Sequence, residues 1–278
     1  MLILPALSVK AYAKVNLGLS VLGRRPDGFH ALDTLMVRVS LHDTLTLTPA
    51  EDVRLTVTGA DLGISPEQNL AYRAAERYLR AAGETRGVEV GLEKRIPAAA
   101  GLGGGSADAG AVLRGMAQLY PAEVDLPRLA AQLGSDVPFF AADQPAARAT
   151  GRGEVLESIQ VSDLHLVLVN PGIKVSAGDA YARVQETTPP LELERLLEEL
   201  ERGEPSYFNA LEAGVVGLEP VVGEVLANLR QTGLTGVLMS GSGSTCFGLA
   251  RTQREAQGIA ATLSEAFPEW WVYAAHTL

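Results

Sequence analysis

The sequence predicts an α+β protein of two domains, and three features carry that prediction. Short stretches alternate apolar and polar residues with the period of a half-buried strand, between longer stretches of helix-forming composition. One such strand leads into a glycine-rich run and then at once into helical sequence. A fresh apolar strand opens at Leu164, and a length of 278 residues suits about two domains. The boundary is placed near residue 160, giving domains of 1–160 and 161–278.

From Lys14 to Leu22 the residues Val15, Leu17, Leu19 and Val21 alternate with Lys14, Asn16, Gly18 and Ser20. Lys14 and Asn16 therefore project from one face of a strand. A second β stretch runs roughly from Thr34 to Thr48, and VRLTVTG continues the pattern. The first helix follows Asn69, a suitable N-cap, through LAYRAAERYLRAA to Gly83 as its stop. Val88, Val90 and Leu92 alternate with Glu89, Gly91 and Glu93 in the strand that precedes the glycine run. After that run ADAGAVLRGMAQLY is helical, with Ser106 at the N-cap position. In DLPRLAAQLG, Asp125 caps, Pro127 lies in the first turn and Gly134 closes, which delivers Ser135 and Asp136 into a turn before VPFF. DQPAARATGRGE follows as a Pro- and Gly-containing segment. The second domain has helices in LELERLLEELE, in a longer region from Phe208 to Gln231, and in REAQGIAATLSEAF. Its strands are LHLVLVN, GVLMS, TCFGLA and WWVYAAHT, with GSGS joining the middle two as a hairpin or a close backbone contact.

Composition excludes several classes. With 47% hydrophobic and 20% charged residues the chain is ordinary globular sequence. The net charge of −10, without a Lys/Arg-rich run, disfavours nucleic-acid and anionic-membrane surfaces. Cys246 is the single cysteine, which excludes an intramolecular disulfide framework and suits a reducing cytosol. Four scattered histidines give no metal-ligand spacing. The apolar N-terminus MLILPALSVKAYAK is interrupted by Pro5, lacks a basic n-region, and does not reach the ~20 residues of a membrane span. A soluble, cytoplasmic protein acting on a small molecule is expected, with neither nucleic acid nor membrane as partner.

The run PAAAGLGGGSADAG, Pro97 to Gly110, packs four glycines into five positions. Gly101, Gly103, Gly104 and Gly105 can adopt φ > 0 and leave no Cβ in the way, so backbone N–H groups can close on an anion. The helix that follows would aim its positive end into the loop, a field that fits a polyphosphate. Neither the Walker A pattern nor GxGxxG is present, and a flexible glycine turn stays open as the plainer alternative. Lys14 reads either as a solvated strand residue or, with Asn16 beside it, as a cation and amide that position a hydroxyl or oxyanion. Asp136, in the polar insertion GSD, is either a presented carboxylate or a capping aspartate. His30 in DGFHAL is a packed or surface histidine when taken alone, and Gly241 and Gly243 around Ser242 suit a hairpin turn. Taken together, a glycine cradle, a cation and a carboxylate, with no nucleophile–His–acid pattern, indicate phosphoryl transfer by positioning and charge stabilisation.

Three separated motifs match one family in order. AKVNLGL, PAAAGLGGGSADAG and MSGSGSTCFG resemble the three signatures of the GHMP kinases and together bracket most of the chain. The resemblance implies a two-domain α+β GHMP-kinase fold, with a ribosomal S5 domain 2-like N-terminal domain and a ferredoxin-like C-terminal domain. It also implies ATP, with Mg2+ accompanying the nucleotide and no protein ligand for the metal identifiable. By the same resemblance Asp136 is the catalytic base and Lys14 stabilises the transferred charge, while Asn16 helps place the acceptor. Pro97, Ala98, Ala99, Ala100, Gly101, Leu102, Gly103, Gly104, Gly105, Ser106 and Ala107 hold the ATP phosphates, with Asn69 and Lys94 on the adenosine side. RPDGFHALDT and LGSDVPFF are similar to members that phosphorylate the alcohol of a cytidylyl-linked polyol in isoprenoid synthesis. That implies Phe29 and His30 against cytosine and Tyr181 stacked on it. The motif more often has Tyr at Phe29 and Ser at Ala107; the first change removes a hydroxyl, the second a possible phosphate or metal contact. A GHMP kinase for another small alcohol (mevalonate, homoserine or a sugar) and a non-catalytic ligand-binding relative are the rival readings.

Overall fold

The computed structural model describes residues 5–278; the apolar stretch read at the N-terminus begins in residues 1–4, which lie outside them. In chain order the strands are β1 (Leu7–Arg24), β2 (His30–Ala50), β3 (Arg54–Thr58), β4 (Gly87–Glu93), β5 (Ala146–Gly151), β6 (Val155–Ser158), β7 (His165–Asn170), β8 (Thr235–Met239), β9 (Cys246–Ala250) and β10 (Trp271–His276). The helices are α1 (Leu70–Ala82), α2 (Gly104–Leu119), α3 (Leu126–Leu133), α4 (Val137–Ala141), α5 (Ala177–Ala182), α6 (Leu193–Arg202), α7 (Glu212–Leu218), α8 (Pro220–Gln231) and α9 (Gln253–Ala266). Among the described residues no helix is long and apolar enough to cross a membrane.

The chain divides into two compact units that are interleaved in sequence. One holds the described residues through Ala13, Leu41–Ala98 and Gly103–Gln144; the other holds Lys14–Ser40, Ala99–Leu102 and Pro145–Leu278. Strands β1 and β2 each run from one unit into the other. The glycine run is divided as well, with Ala99–Leu102 in the second unit and its flanks in the first.

In the first unit β4 pairs antiparallel with Thr44–Ala50 of β2 and parallel with β3. Helix α1 starts where Asn69 accepts a hydrogen bond from the Ala71 N–H and ends at Gly83 in the left-handed region, as its sequence predicts. It buries Ala71, Ala74, Ala75, Tyr78 and Leu79, a face at helical spacing. Tyr78 donates to the Tyr120 carbonyl, and Tyr120 donates to the Gly87 carbonyl, tying the helices to the start of β4.

In the second unit Leu32–Val37 of β2 pairs with β5, and β5 with β6, all antiparallel. A separate antiparallel sheet has the order β10-β7-β9-β8. Its core side carries Val167, Val169 and Cys246 against Val225 and Leu229 of α8 and Ala256 and Leu263 of α9. The alternating valines of LHLVLVN supply that face.

Several expectations from sequence are corrected. Helix α2 begins at Gly104 with Gly103 as its N-cap, so Ser106 lies within the first turn rather than at the cap. Gly101 and Gly103 take positive φ, at 76° and 70°, whereas Gly104 and Gly105 are already helical. The region from Phe208 to Gln231 holds two helices, because Pro220, which lacks an N–H, opens a new one at its first turn. DQPAARATGRGE contains β5, whose buried positions are the alanines Ala146, Ala147 and Ala149, too small to mark an apolar face in sequence.

Candidate active site

Lys14 is buried, with 4% of its surface exposed, which removes the solvated-strand alternative. The period of β1 places Asn16 beside it, and the ammonium donates to Asn16 Oδ1 at 2.6 Å. It also donates to the Gly101 carbonyl at 2.8 Å. Asn16 Nδ2 donates to Thr34 Oγ1 at 2.8 Å, and Thr34 donates onward to the Gly18 carbonyl at 2.7 Å. This relay fixes the amide so that its oxygen faces the cation.

The serine–glycine turn between β8 and β9 closes on the same point. Ser240 Oγ donates to the Gly101 carbonyl at 3.0 Å, and the Thr245 N–H donates to the Ala100 carbonyl at 3.1 Å. A Cβ on Gly101 would lie 2.0 Å from the Ser240 carbonyl oxygen, and one on Gly241 would lie 2.9 Å from Lys14 Nζ. Only glycine permits backbones this close to meet. The turn is a hairpin between antiparallel β8 and β9 that also makes this close backbone contact. Asn209 pins the turn, its Nδ2 donating to the Met239 and Gly241 carbonyls at 2.8 and 2.7 Å.

Within the first unit the other half of the glycine run opens α2. Lys94 follows β4, and its ammonium donates to Asp108 Oδ2 at 2.8 Å and to Asp43 Oδ2. All three side chains are buried. Asp43 Oδ1 also accepts the Ile96 N–H at 2.9 Å and the Arg95 N–H. Burial raises the Asp108 carboxyl to about 7, against the pull of the Lys94 ammonium and with the push of Asp43. Burial works against the Lys94 charge too, yet its two carboxylates outweigh it and raise its pKa. The two upward shifts have different causes: burial lifts Asp108, whereas the two carboxylates that share the ammonium lift Lys94. Lys94, expected at the adenosine side, thus has its ammonium engaged by this cluster.

Asn69 lines a cavity of about 640 Å³ with Val57, Leu62, Ile64 and Pro66. Its Oδ1 caps α1, while its Nδ2 makes no hydrogen bond among the described residues. The cavity wall is mixed, with Thr58, Asp61 and Ser65 lining it beside the apolar side chains. Asp136 is half-buried and directly precedes α4, but its side chain makes no cap hydrogen bond, so the capping reading does not hold.

In the second unit Phe29 lies in the turn between β1 and β2, and His30 begins β2. The His30 ring stacks on Tyr181 of α5, with centroids 5.3 Å apart and planes 16° from parallel. The two residues are brought together across about 150 positions of chain, and a base would meet an outer face of the pair rather than a slot between the rings. Sequence reasoning missed Asp43, Asp108, Thr34 and Asn209. An aspartate in the alanine-rich, buried start of α2 was the one available signal, since such residues are rarely buried without a partner.

Among the described residues no group of three or more His, Cys, Asp or Glu side chains could hold a metal ion.

The chain belongs to the GHMP kinases: the family's N-terminal domain model matches residues 69–146 and its C-terminal model residues 190–269. Within the family it is similar to 4-diphosphocytidyl-2-C-methyl-D-erythritol kinase of Deinococcus radiodurans, at 51% identity covering 95% of this chain and 91% of that one. The enzyme of the same name from Thermus thermophilus is 48% identical, with 91% of each chain covered. A crystal structure of 4-(cytidine 5'-diphospho)-2C-methyl-D-erythritol kinase superposes with a TM-score of 0.87 at 45% identity, covering 98% of this chain and 100% of that one.

Proposed function

We propose that this protein transfers the γ-phosphoryl group of ATP to the 2-hydroxyl of 4-diphosphocytidyl-2-C-methyl-D-erythritol, in the non-mevalonate route to isoprenoids. The products are the 2-phosphate and ADP. Relatives at 51% and 48% identity over nearly their whole length carry that activity in their names. The observation that carries the reading within this chain is the convergence on Lys14, where AKVNLGL, the glycine run and the serine–glycine turn meet through hydrogen bonds.

Each residue has a role that follows from its setting. Lys14, held by two acceptors before any substrate arrives, stabilises charge on the transferred phosphoryl group without reorganising. Asp136 accepts the proton of the 2-hydroxyl as that oxygen forms its bond to phosphorus and the bond to ADP breaks. Asn16 helps place the acceptor. Pro97 to Ala107, at the start of α2, holds the phosphates, and Asn69 meets the adenosine at the cavity it lines. Lys94, tied to Asp43 and Asp108, acts on that side by fixing the backbone that leads into the loop. Phe29, His30 and Tyr181 take the cytosine. Mg2+ bound with ATP supplies charge neutralisation at the β- and γ-phosphates. The reaction is assigned to the cytoplasm, with no nucleic acid or membrane involved.

The test is a panel. The protein is incubated with magnesium ATP and the cytidylyl substrate, mevalonate, homoserine or galactose, and ADP is followed. Turnover of the first alone is expected; turnover of any of the others without the first would overturn the assignment.

A further inference from the structure

Arg152 sits in the turn between β5 and β6. The pairing of Gly151 with Leu32 of β2 lays that turn alongside the segment from Asp27 to His30. The guanidinium carbon lies 4.9 Å from the centre of the Phe29 ring. That ring is 51% exposed, a large apolar face kept in solvent, and it has no hydrogen-bond donor of its own. The guanidinium over it has five. Arg152 Nε reaches Glu154 Oε1 at 3.4 Å, and neither Nη makes a hydrogen bond among the described residues. Glu154 is turned mainly to backbone, accepting the Arg152 N–H. The neighbouring Arg25 is engaged differently, with Nε and Nη2 both on the Asp27 carboxylate at 2.9 to 3.2 Å. Of the four charges around Phe29, namely Arg25, Asp27, Arg152 and Glu154, only Arg152 keeps a pair of Nη donors open.

His30, next to Phe29 in the chain, stacks on Tyr181. The Arg152–Phe29 pair and the His30–Tyr181 pair are therefore carried by adjacent residues of the chain, with the cation on the Phe29 side. We propose that Arg152 is a specificity-determining residue that binds the diphosphate of the nucleotide-linked acceptor. The inference rests on the function proposed above and adds to it the group that distinguishes a cytidine diphosphate from a cytidine. A guanidinium fork matches two phosphate oxygens, and stacking on Phe29 holds its plane so that little side-chain freedom is lost on binding.

The experiment compares wild type, Arg152→Ala and Arg152→Lys. Titration calorimetry measures affinity for cytidine and for CDP, and steady-state kinetics gives KM for the acceptor, KM for ATP and kcat. In Arg152→Ala, CDP affinity and acceptor KM should worsen by about 10- to 100-fold while cytidine affinity and ATP KM hold. Arg152→Lys, which keeps the charge and loses the fork, should fall between. Equal weakening of CDP and cytidine would mean that Arg152 only props the Phe29 ring, and unchanged CDP affinity would remove it from the site; either overturns the inference. Failure of the wild type to phosphorylate the cytidylyl substrate would instead sink the functional reading, a separate result from the two titrations.

Discussion

Replacing Asp108 by asparagine removes one charge from the buried Lys94 cluster while keeping its shape, and the consequence is a change in how stability depends on pH. Asp108 is 1% exposed, and its Oδ1 has no hydrogen-bond partner, so ionising it in place is costly. Its carboxyl holds a proton in the folded protein up to about 7, against an ordinary value of 3.8. Between those values the folded state binds more protons than the unfolded state, so stability falls as pH rises from about 4 to about 7 and levels off beyond. The window spans about 3 pH units, and at about 1.4 kcal/mol per unit it corresponds to at most about 4 kcal/mol. The asparagine side chain has no titrating proton and still accepts from Lys94. Its amide NH2 in place of an unpartnered oxygen adds a penalty of about 1–3 kcal/mol that does not vary with pH, so the slope and not the level is the test. Urea denaturation followed by far-UV circular dichroism from about pH 4.5 to 8.5 gives both profiles at matched salt. The stability of wild type relative to the variant should drop by about 2–4 kcal/mol between about pH 4.5 and 7.5. Parallel profiles, within about 0.5 kcal/mol, would refute the raised pKa of the Asp108 carboxyl.

Gly101→Ala adds a Cβ 2.0 Å from the Ser240 carbonyl oxygen at a positive φ, so the glycine run must leave the serine–glycine turn. Activity should fall by more than about 10²-fold with a lowered Tm, read by ADP release and thermal melting; near wild-type values would show the junction to be dispensable. Lys14→Met should lower kcat by about 10²- to 10³-fold and Asp136→Asn by about 10²- to 10⁴-fold, each with ATP affinity little changed by calorimetry. Wild-type kcat in either variant would remove that residue from the chemistry. Tyr181→Ala should raise the acceptor KM about tenfold or more while leaving ATP KM unaltered, as the proposed stacking of cytosine on its ring requires. A matched rise in ATP KM would indicate a general disturbance of the fold.

The parts of this fold that were legible in the sequence are those whose signal is local. Asn69 and Gly83 bound α1 because a cap and a left-handed stop act within a few residues. The apolar run LHLVLVN marked β7 because both of its faces are buried, Leu166 and Leu168 on one and Val167 and Val169 on the other. The break in the Phe208 to Gln231 region was also local, at Pro220, and was passed over. Strand β5 was not legible, since its identity comes from pairing with β2 more than about 100 residues away, and its buried positions are alanines. The cap of α2 was misplaced by three residues, because Ser106 has the chemistry of a cap while Gly103 has the required backbone conformation.

The sequence by itself determined which groups were on offer: a lysine and an asparagine on one strand face, a glycine run leading into a helix, and an aspartate before VPFF. Tertiary structure decided what each is bonded to. The Lys14 ammonium meets a carbonyl 87 positions away, and Ser240 reaches that same carbonyl across 139 positions. Lys94 and Asp136 look alike in sequence, each a lone charge beside an apolar segment, yet one is held between Asp43 and Asp108 and the other stands half-buried without capping its helix. Residue type fixes charge and hydrogen-bonding capacity, whereas burial and the partner at hydrogen-bond distance, which set what that charge can do, depend on the long-range register of strands that no local period encodes.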